Sequence, residues 1–241
     1  TSMDWIGMLA EGPGMQARAN GTATDFFSDD PFSREDERPD TVFYGKPRFV
    51  QHLDDAALDM VRSLYGAELK DGMRVLDLMS SWTSHLPENL QLTKLTALGM
   101  NEAELKRNER ATDRLVHDLN ASAVMALDND SYDAALCTVS VEYLTRPVDV
   151  FREVGRVLRP GGVFMVAFSD RWFPPKAIRI WKELHEFERM GLVLEYFDKS
   201  GVFTDLSTFS VRGLPRPAHD KYAAQRATSD PVFLVKGRKR G

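Results

Sequence analysis

Residues 74–101, RVLDLMSSWTSHLPENLQLTKLTALGMN, decide the fold class of this chain. Two short apolar runs, 74–78 and 95–100, stand near its ends, and each has the composition of a strand covered on both faces. The segment between them predicts a tight loop followed by a short helix. A strand, a crossover helix and a second strand form the opening βαβ unit of a doubly wound sheet, whose first loop commonly holds a nucleotide-like ligand.

Apolar runs and helical periods alternate along the rest of the chain. Helices are predicted at 54–66, 102–108, from 147, at 176–190, and in a further piece ending near 200. Further strands are predicted at 114–119, 132–139, 163–168, 203–211 and 231–236. Alternating strands and helices predict an α/β fold, here with a doubly wound and mostly parallel sheet of seven strands.

The first part of the chain has a different composition. Residues 1–40 are rich in Gly, Asp, Pro and Ser and show no sustained period, so they predict an irregular N-terminal arm ahead of one domain at 41–241. Two interpretations of the arm stay open. It is a weakly ordered terminus, or its aromatic residues pack on the body and close over a ligand.

Charge and cysteine content narrow the class of protein. A net charge of −5 argues against a general nucleic-acid binder, and no apolar stretch is long enough for a membrane span. The single Cys137 excludes an internal disulfide and a cysteine metal cage, and it favours a reducing compartment. We expect a cytoplasmic location, or a reducing organelle if a targeting segment has been removed. No metal site is expected, and the oligomeric state stays open.

Two segments carry a resemblance to a known family. NDSYDAA at 129–135, followed after a helix-length interval by RVLRPGG at 156–162, resembles the class I S-adenosylmethionine-dependent methyltransferases, most of all the type 11 small-molecule branch. The resemblance covers roughly residues 75–168. It implies a Rossmann-like fold with an antiparallel C-terminal strand, S-adenosylmethionine as the cofactor and a small molecule as the methyl acceptor.

The loop after the first strand departs from the family pattern. The resemblance implies that Asp77, Met79, Ser80 and Ser81 lie against the cofactor, where the family has an acid followed by a glycine-rich loop. No glycine is present here, so any position that needs a positive φ costs ~1 kcal/mol or more. Asp77 has a second interpretation as a structural cap satisfied by backbone donors of the loop. Trp82 either shapes the pocket or fills the core.

Two further cofactor contacts follow the second and third strands. The family places an acid for the ribose hydroxyls where this chain has Asn101, with Glu102 next to it as a substitute. Asn101 together with Glu104 also fits a helix N-cap and its reciprocal partner. Asp118 and Leu119 match the pair that contacts the adenine.

Catalytic candidates follow the fourth strand and the first loop. Ser140 is assigned to the cofactor, and Glu142 or Tyr143 to ligand contact, with helix capping and packing as the alternative. This segment lacks the Asn/Asp-Pro-Pro-aromatic motif of families that methylate nitrogens of nucleic acids and proteins. It therefore favours a small acceptor with an O, S or C nucleophile. His85, just past the cofactor loop, is the best candidate for a general base.

Substrate contacts are predicted on two segments. Arg171, Trp172 and Lys176 follow the fifth strand and suit a substrate wall, with Arg171 or Lys176 available for an acidic group. A capped loop leading into the next helix is the alternative. Tyr44 and Arg48 precede the first core helix, where they could close over the cofactor.

Two functions stay open on the sequence. The first is an S-adenosylmethionine-dependent methyltransferase with a divergent loop, and the second is a methyltransferase-fold protein that has lost methyl transfer and acts as a binding or scaffolding subunit. A dinucleotide-dependent oxidoreductase would need G-x-G-x-x-G after the first strand, and that motif is absent.

Overall fold

The computed structural model describes Phe27 and residues 30–241. Seven strands occur in this part: β1 Arg74–Leu78, β2 Lys94–Gly99, β3 Asp113–Val116, β4 Tyr132–Thr138, β5 Leu158–Phe168, β6 Phe203–Val211 and β7 Val232–Lys239. Six α-helices accompany them: α1 Asp40–Phe43, α2 Asp55–Gly66, α3 Glu102–Lys106, α4 Pro147–Val157, α5 Arg179–Glu183 and α6 Glu186–Ser200. A 3₁₀ turn covers Val141–Tyr143.

All seven strands form one sheet in the order β3-β2-β1-β4-β5-β7-β6. The pairs among β1 to β5 are parallel, whereas β7 runs antiparallel to both β5 and β6. The predicted fold class, a mostly parallel doubly wound sheet with an antiparallel C-terminal strand, is confirmed. The strand order reverses between β1 and β4, and ligands of open α/β sheets bind outside the strand ends at such a point.

Two apolar layers cover the sheet. Helix α2 packs Ala57, Val61 and Leu64 on one face, and α4 and α6 pack on the other, where Phe151 and Phe197 meet with ring centroids 4.9 Å apart. Strand residues alternate between the two layers because successive side chains of a strand point to opposite faces. Both faces are therefore buried, as the apolar runs predicted.

The short helix predicted between β1 and β2 is absent, and residues 79–93 form a loop. Short-range polar contacts hold this segment instead. Ser80 and Ser84 turn their hydroxyls back to the Asp77 carboxylate, and Asn108 donates to Ser84 Oγ at 2.9 Å. Serine side chains that bond to nearby groups in this way favour turns over helix.

The helix predicted at 176–190 was also wrong. Leu184 is extended, with ψ 151°, and it separates α5 from α6. Glu188 accepts from the His185 backbone N–H at 2.8 Å, which starts α6, and Arg189 Nε donates to Trp181 O at 2.8 Å near the end of α5. The further helical piece predicted to end near residue 200 is the second half of α6.

Element bounds differ in two other places. Strand β5 begins at Leu158, earlier than predicted, and β3 ends at Val116, so that Asp118 and Leu119 lie in the following loop. Most of the predicted N-terminal arm, including all of residues 1–26, lies outside the described residues, and the domain division stays a prediction. Within the described part, no helix has the length and hydropathy needed to cross a bilayer.

Candidate functional site

A cavity of about 290 Å³ opens at the carboxyl ends of the parallel strands, close to the lower limit of ~300 Å³ for small-molecule sites. Its walls come from the loops that follow β1 to β5, from the loop between β6 and β7, and from a segment across the top. We call that segment, residues 40–53, the strap. The cavity lies at the strand-order reversal, where the topology places a ligand.

Most of the sequence-predicted site residues line this cavity. They are Tyr44, Arg48, Asp77, Met79, Ser80, Ser81, His85, Asn101, Asp118, Leu119, Ser140, Tyr143, Arg171 and Trp172. The structure therefore brings together residues from six separate parts of the sequence. Glu102, Glu142 and Lys176 do not line it.

Each of these three residues has a physical reason for its place. Glu102 lies on the exposed side of α3, where Lys106 Nζ is 2.7 Å from its carboxylate. Lys176 is fully buried, and its ammonium bonds to Asp40 Oδ1 at 2.9 Å and to the backbone carbonyl of Arg38 at 2.9 Å. Lys176 thus anchors the start of the strap and does not reach a substrate.

Glu142 lies behind the cavity wall. Its side chain is buried, and burial raises its pKa to about 8, so the carboxyl is neutral at physiological pH. Arg189 is the charged group that opposes this effect, although burial outweighs it. The structure does not bring Glu142 into contact with the cavity, so its predicted ligand contact is not supported by its position.

Serine hydroxyl groups donate the hydrogen bonds of the Asp77 carboxylate. The backbone N–H donors expected from the sequence do not. Ser80 Oγ and Ser84 Oγ donate to Oδ2 at 2.7 and 2.6 Å. Burial raises the pKa of Asp77 to about 6, against the opposing effect of these two bonds. Both bonds fall on Oδ2, so Oδ1 has no hydrogen bond from the described residues and is available at the cavity.

Backbone strain is concentrated at the ends of β1 and β4. Met79 has φ 52° and Val139 has φ 47°, and both line the cavity. A left-handed conformation costs an L-residue ~1–2 kcal/mol, and it is most unusual for a β-branched residue. The sequence-based expectation that a glycine-free loop would carry this strain is met at Met79. Such strain tends to collect at functional sites.

Asn101 is the N-cap of α3, as predicted. Its Oδ1 accepts from Glu104 N at 3.1 Å, while its Nδ2 donates to the backbone carbonyls of Tyr44 and Gly45 at 3.0 and 3.2 Å. The reciprocal bond expected from Glu104 does not form. The Glu104 carboxylate accepts from Ser81 Oγ at 2.8 Å and lines the cavity.

The Asp118 carboxylate is fixed by its own loop. Oδ1 accepts from the backbone N–H groups of Asn120 and Ala121 at 2.9 and 3.3 Å, which leaves Oδ2 without a bond from the described residues. Asp118 lines the cavity beside Leu119. An acceptor oxygen is therefore held in place next to an apolar wall.

Contacts at both ends hold the strap over the cavity. Asp40 accepts from Arg34 Nη1 at 2.6 Å and from Asn120 Nδ2 at 2.7 Å, and Trp82 Nε1 donates to Val50 O at 3.3 Å. Trp82 thus belongs to the cavity wall and does not fill the core. Asp40 is a site residue that the sequence analysis missed, because its partners are distant in sequence.

Three histidines, His52, His85 and His117, line the cavity. His85 Nδ1 is buried and has no hydrogen-bond partner among the described residues, and burial lowers the pKa of His85 to about 4. His52 also lines the cavity, although no motif in the sequence pointed to it. Burial lowers the pKa of His52 as well, with help from Arg171, Arg48 and Lys221.

Tyr143 forms an aromatic wall. Its hydroxyl accepts from Phe173 N at 2.8 Å, and the two rings stack with centroids 6.0 Å apart. Burial, together with the nearby Glu142 and Tyr44, raises the pKa of Tyr143 well above its ordinary value. Its position suits ligand packing better than proton transfer. Within residues 30–241, no group of three His, Cys, Asp or Glu side chains has metal-binding geometry.

A comparison with protein-family models finds a match over residues 80–166. The matching model describes a methyltransferase domain. The resemblance to class I S-adenosylmethionine-dependent methyltransferases is thereby confirmed. The matched segment contains most of the cavity-lining loops, from Ser80 to Tyr143. No curated protein sequence matches the chain.

Solved structures with the same architecture share little sequence with this chain. A chain from the complex between the Haloferax volcanii Trm112 methyltransferase activator and a candidate methyltransferase is 17% identical, with TM-score 0.54 over 72% of this chain and 85% of that one. A Thermotoga maritima methyltransferase, described as a candidate histamine N-methyltransferase, is 15% identical, with TM-score 0.55 over 76% and 90%. The [4+2]-cyclase SpnF is 16% identical, with TM-score 0.55 over 83% and 91%. These similarities show the fold.

Proposed function

We propose that this chain is an S-adenosylmethionine-dependent methyltransferase whose acceptor is a small molecule with an O, S or C nucleophile. The observation that carries the proposal is the free Oδ2 of Asp118, held at the cavity wall beside Leu119. This pair matches the family's adenine contact, in which the carboxylate accepts from the exocyclic amine.

The remaining cavity groups fit a sulfonium nucleoside. Three carboxylates, of Asp77, Glu104 and Asp118, line the half of the cavity next to β1, β2 and β3. A cationic molecule with hydroxyl and amine donors matches such acceptors. Because the Asn101 amide is engaged by α3 and the strap, we assign the ribose hydroxyls to Glu104, where the family uses the residue at 101.

Bound S-adenosylmethionine supplies an electrophilic methyl group for in-line displacement, so the protein must align the acceptor and exclude water. The strap covers the cavity, and the Tyr143 and Phe173 rings provide a flat apolar wall for the acceptor. His85, neutral at pH 7, presents Nδ1 as a proton acceptor. Its low pKa makes it a weak base, which suits an acceptor that loses its proton readily.

One observation favours the second function, a methyltransferase fold that binds ligands without transferring methyl groups. Asn101 makes all of its hydrogen bonds within the protein, at the position where the family holds ribose. The fold also carries other reactions, since SpnF is described as a [4+2]-cyclase.

Two measurements separate the candidates. Calorimetric titration with S-adenosylhomocysteine tests cofactor binding, and incubation with labelled S-adenosylmethionine and a panel of phenols, thiols and acids tests transfer. The enzyme proposal expects micromolar binding and label in at least one acceptor. Binding without transfer to any acceptor class would favour the second candidate, and no binding at millimolar cofactor would contradict both the assigned cofactor and the enzyme.

A further inference from the structure

The cavity is divided by charge. Its free carboxylates come from the β1, β2 and β3 half, whereas three cations come from the opposite side: Arg48 on the strap, Arg171 after β5 and Lys221 in the loop between β6 and β7. A cationic cofactor accounts for the acidic half. The basic half repels the sulfonium, and its three cations exceed the single carboxylate that the cofactor carries, so it suits a second anion.

The cations are poorly neutralised by the protein. Arg48 donates to the backbone carbonyl of Phe43 and lies over aromatic rings, and no ion pair of Arg48 or Lys221 occurs within residues 30–241. Arg171 Nη1 is 3.5 Å from Asp230 Oδ2, but that acid is bonded more closely by Arg216, at 2.9 Å. Cations that the protein pairs weakly or not at all create, in a partly buried cavity, a potential that favours an anion.

These three cations line the same cavity as His52 and act on its charge. His52 lies edge-on to Phe173, with ring centroids 5.4 Å apart, and Arg48 lies 5.5 Å from the same ring. Arg171 and Lys221 both lie over Tyr222, at 4.8 and 5.0 Å from its centroid. The three charges also act together on His52, whose pKa they help to lower. Aromatic rings thus stand beside the cations, which suits an acid with an apolar body.

We propose that the methyl acceptor is a small organic anion, a carboxylate or a phosphate ester, whose charged group is bound by Arg171, Lys221 and Arg48 beside His52. The apolar part of the acceptor packs on Phe173 and Tyr143, between the anion site and the carboxylates assigned to the cofactor. The identification of this anion as the methyl acceptor rests on the proposed function, whereas the existence of the anion site does not.

The test measures binding of charged and neutral probes to the full chain, with and without S-adenosylhomocysteine. Benzoate, phenyl phosphate and benzamide share a ring and differ in charge. We expect at least one anion to bind about tenfold more tightly than benzamide, because charge-assisted bonds outweigh neutral ones. The tighter of the two anions then identifies the group as carboxylate or phosphate.

Variants locate the site. Lys221→Gln and Arg171→Gln should each weaken binding of the preferred anion about fivefold or more and leave benzamide unchanged. Lys106→Gln, which removes an exposed cation on α3, is the matched control and should change nothing. Thermal unfolding of each variant confirms that it is folded.

The proposal is overturned if neither anion binds better than benzamide, or if both cavity variants bind the anion as the parent does. Failure of the proposed function looks different. In that case S-adenosylhomocysteine does not bind, while the preference for the anion and its loss in Lys221→Gln persist.

Discussion

The side-chain amide of Asn101 donates to the backbone carbonyl of Tyr44 at 3.0 Å, which joins the end of β2 to the strap. A second bond from the same nitrogen reaches Gly45 O at 3.2 Å. The cover of the cavity is therefore fastened at the position where the resemblance implies a ribose contact. One side chain thus links the strap to the N-terminus of α3.

Asn101→Asp should loosen the strap. The substitution keeps the oxygen that caps α3, but it removes both donated bonds and places a carboxylate against two carbonyls. Each lost bond is worth ~1 kcal/mol, so the loss of both should make the amides of residues 40–50 exchange with deuterium about thirtyfold faster. Glu102→Gln, on the exposed neighbour, is the control and should leave exchange unchanged. Equal protection of the strap in Asn101→Asp would contradict its role as a fastener.

Lys176→Met should destabilise the protein strongly. The buried ammonium bonds to Asp40 at 2.9 Å, and its loss leaves that buried carboxylate with one cation fewer. Removal of one partner of a buried ion pair costs about 3 kcal/mol, measurable by urea unfolding. The control is Lys182→Met, which breaks a largely exposed pair with Glu35 and should cost under ~1 kcal/mol. Similar losses of unfolding free energy in the two variants would contradict the role of Lys176 as a buried anchor.

At position 79 a glycine variant should be more stable than an alanine variant, which is the reverse of the order expected within a helix. At φ 52° glycine avoids a cost of ~1–2 kcal/mol, so Met79→Gly should be more stable than Met79→Ala. The matched pair is Met60→Ala and Met60→Gly within α2, where alanine should be more stable by ~1 kcal/mol. Chemical denaturation of the four variants provides the comparison. The same order at both positions would mean that the loop does not hold Met79 in the left-handed region.

Asp77 should contribute a pH dependence to stability. Burial raises its pKa from 3.8 to about 6, so the folded chain holds this proton more tightly than the unfolded chain does. The stabilisation that protonated Asp77 gives to the fold is fully present below the pKa of this group in the unfolded chain. It is lost as the pH rises through the pKa of the group in the folded chain. Asp77→Asn keeps an oxygen for the two serine hydroxyls and does not titrate. Between about pH 4 and about pH 7, the free energy of unfolding of Asp77→Asn relative to that of the parent should increase by ~2–3 kcal/mol. Parallel curves for the two proteins would contradict the raised pKa.

Local patterns were sufficient to predict the sheet. The buried runs at β1, β2 and β4 are apolar on both faces, so their strand assignment needed no knowledge of distant contacts. The same approach failed for residues 79–93, where Ser80 and Ser84 bond to Asp77, because the loop is stabilised by specific side-chain contacts. It failed again at Leu184 and His185, since two extended residues leave little trace in a helical period.

Cavity-lining residues could be predicted where their position relative to the end of a strand was enough to place them. Asp77 lies near the end of β1, Asn101 and Asp118 follow the ends of β2 and β3, and the topology gathers them at one edge. Lys221 and His52 were missed, since they come from segments without a period and reach the cavity only through long-range packing. Lys176 was assigned to the substrate because its loop also carries Arg171, although its ammonium turns inward to Asp40. No sequence signal separates these two orientations.

The most direct test of the cofactor assignment is calorimetric titration of S-adenosylhomocysteine into the parent, Asp118→Asn and Glu102→Gln. Asp118→Asn keeps the oxygen that accepts from Asn120 and Ala121, but it turns the cavity-side acceptor into a donor. We expect micromolar binding by the parent, at least about tenfold weaker binding by Asp118→Asn, and parental affinity for Glu102→Gln. Equal affinity in all three proteins, or no binding by the parent, would contradict the placement of the nucleoside in this cavity.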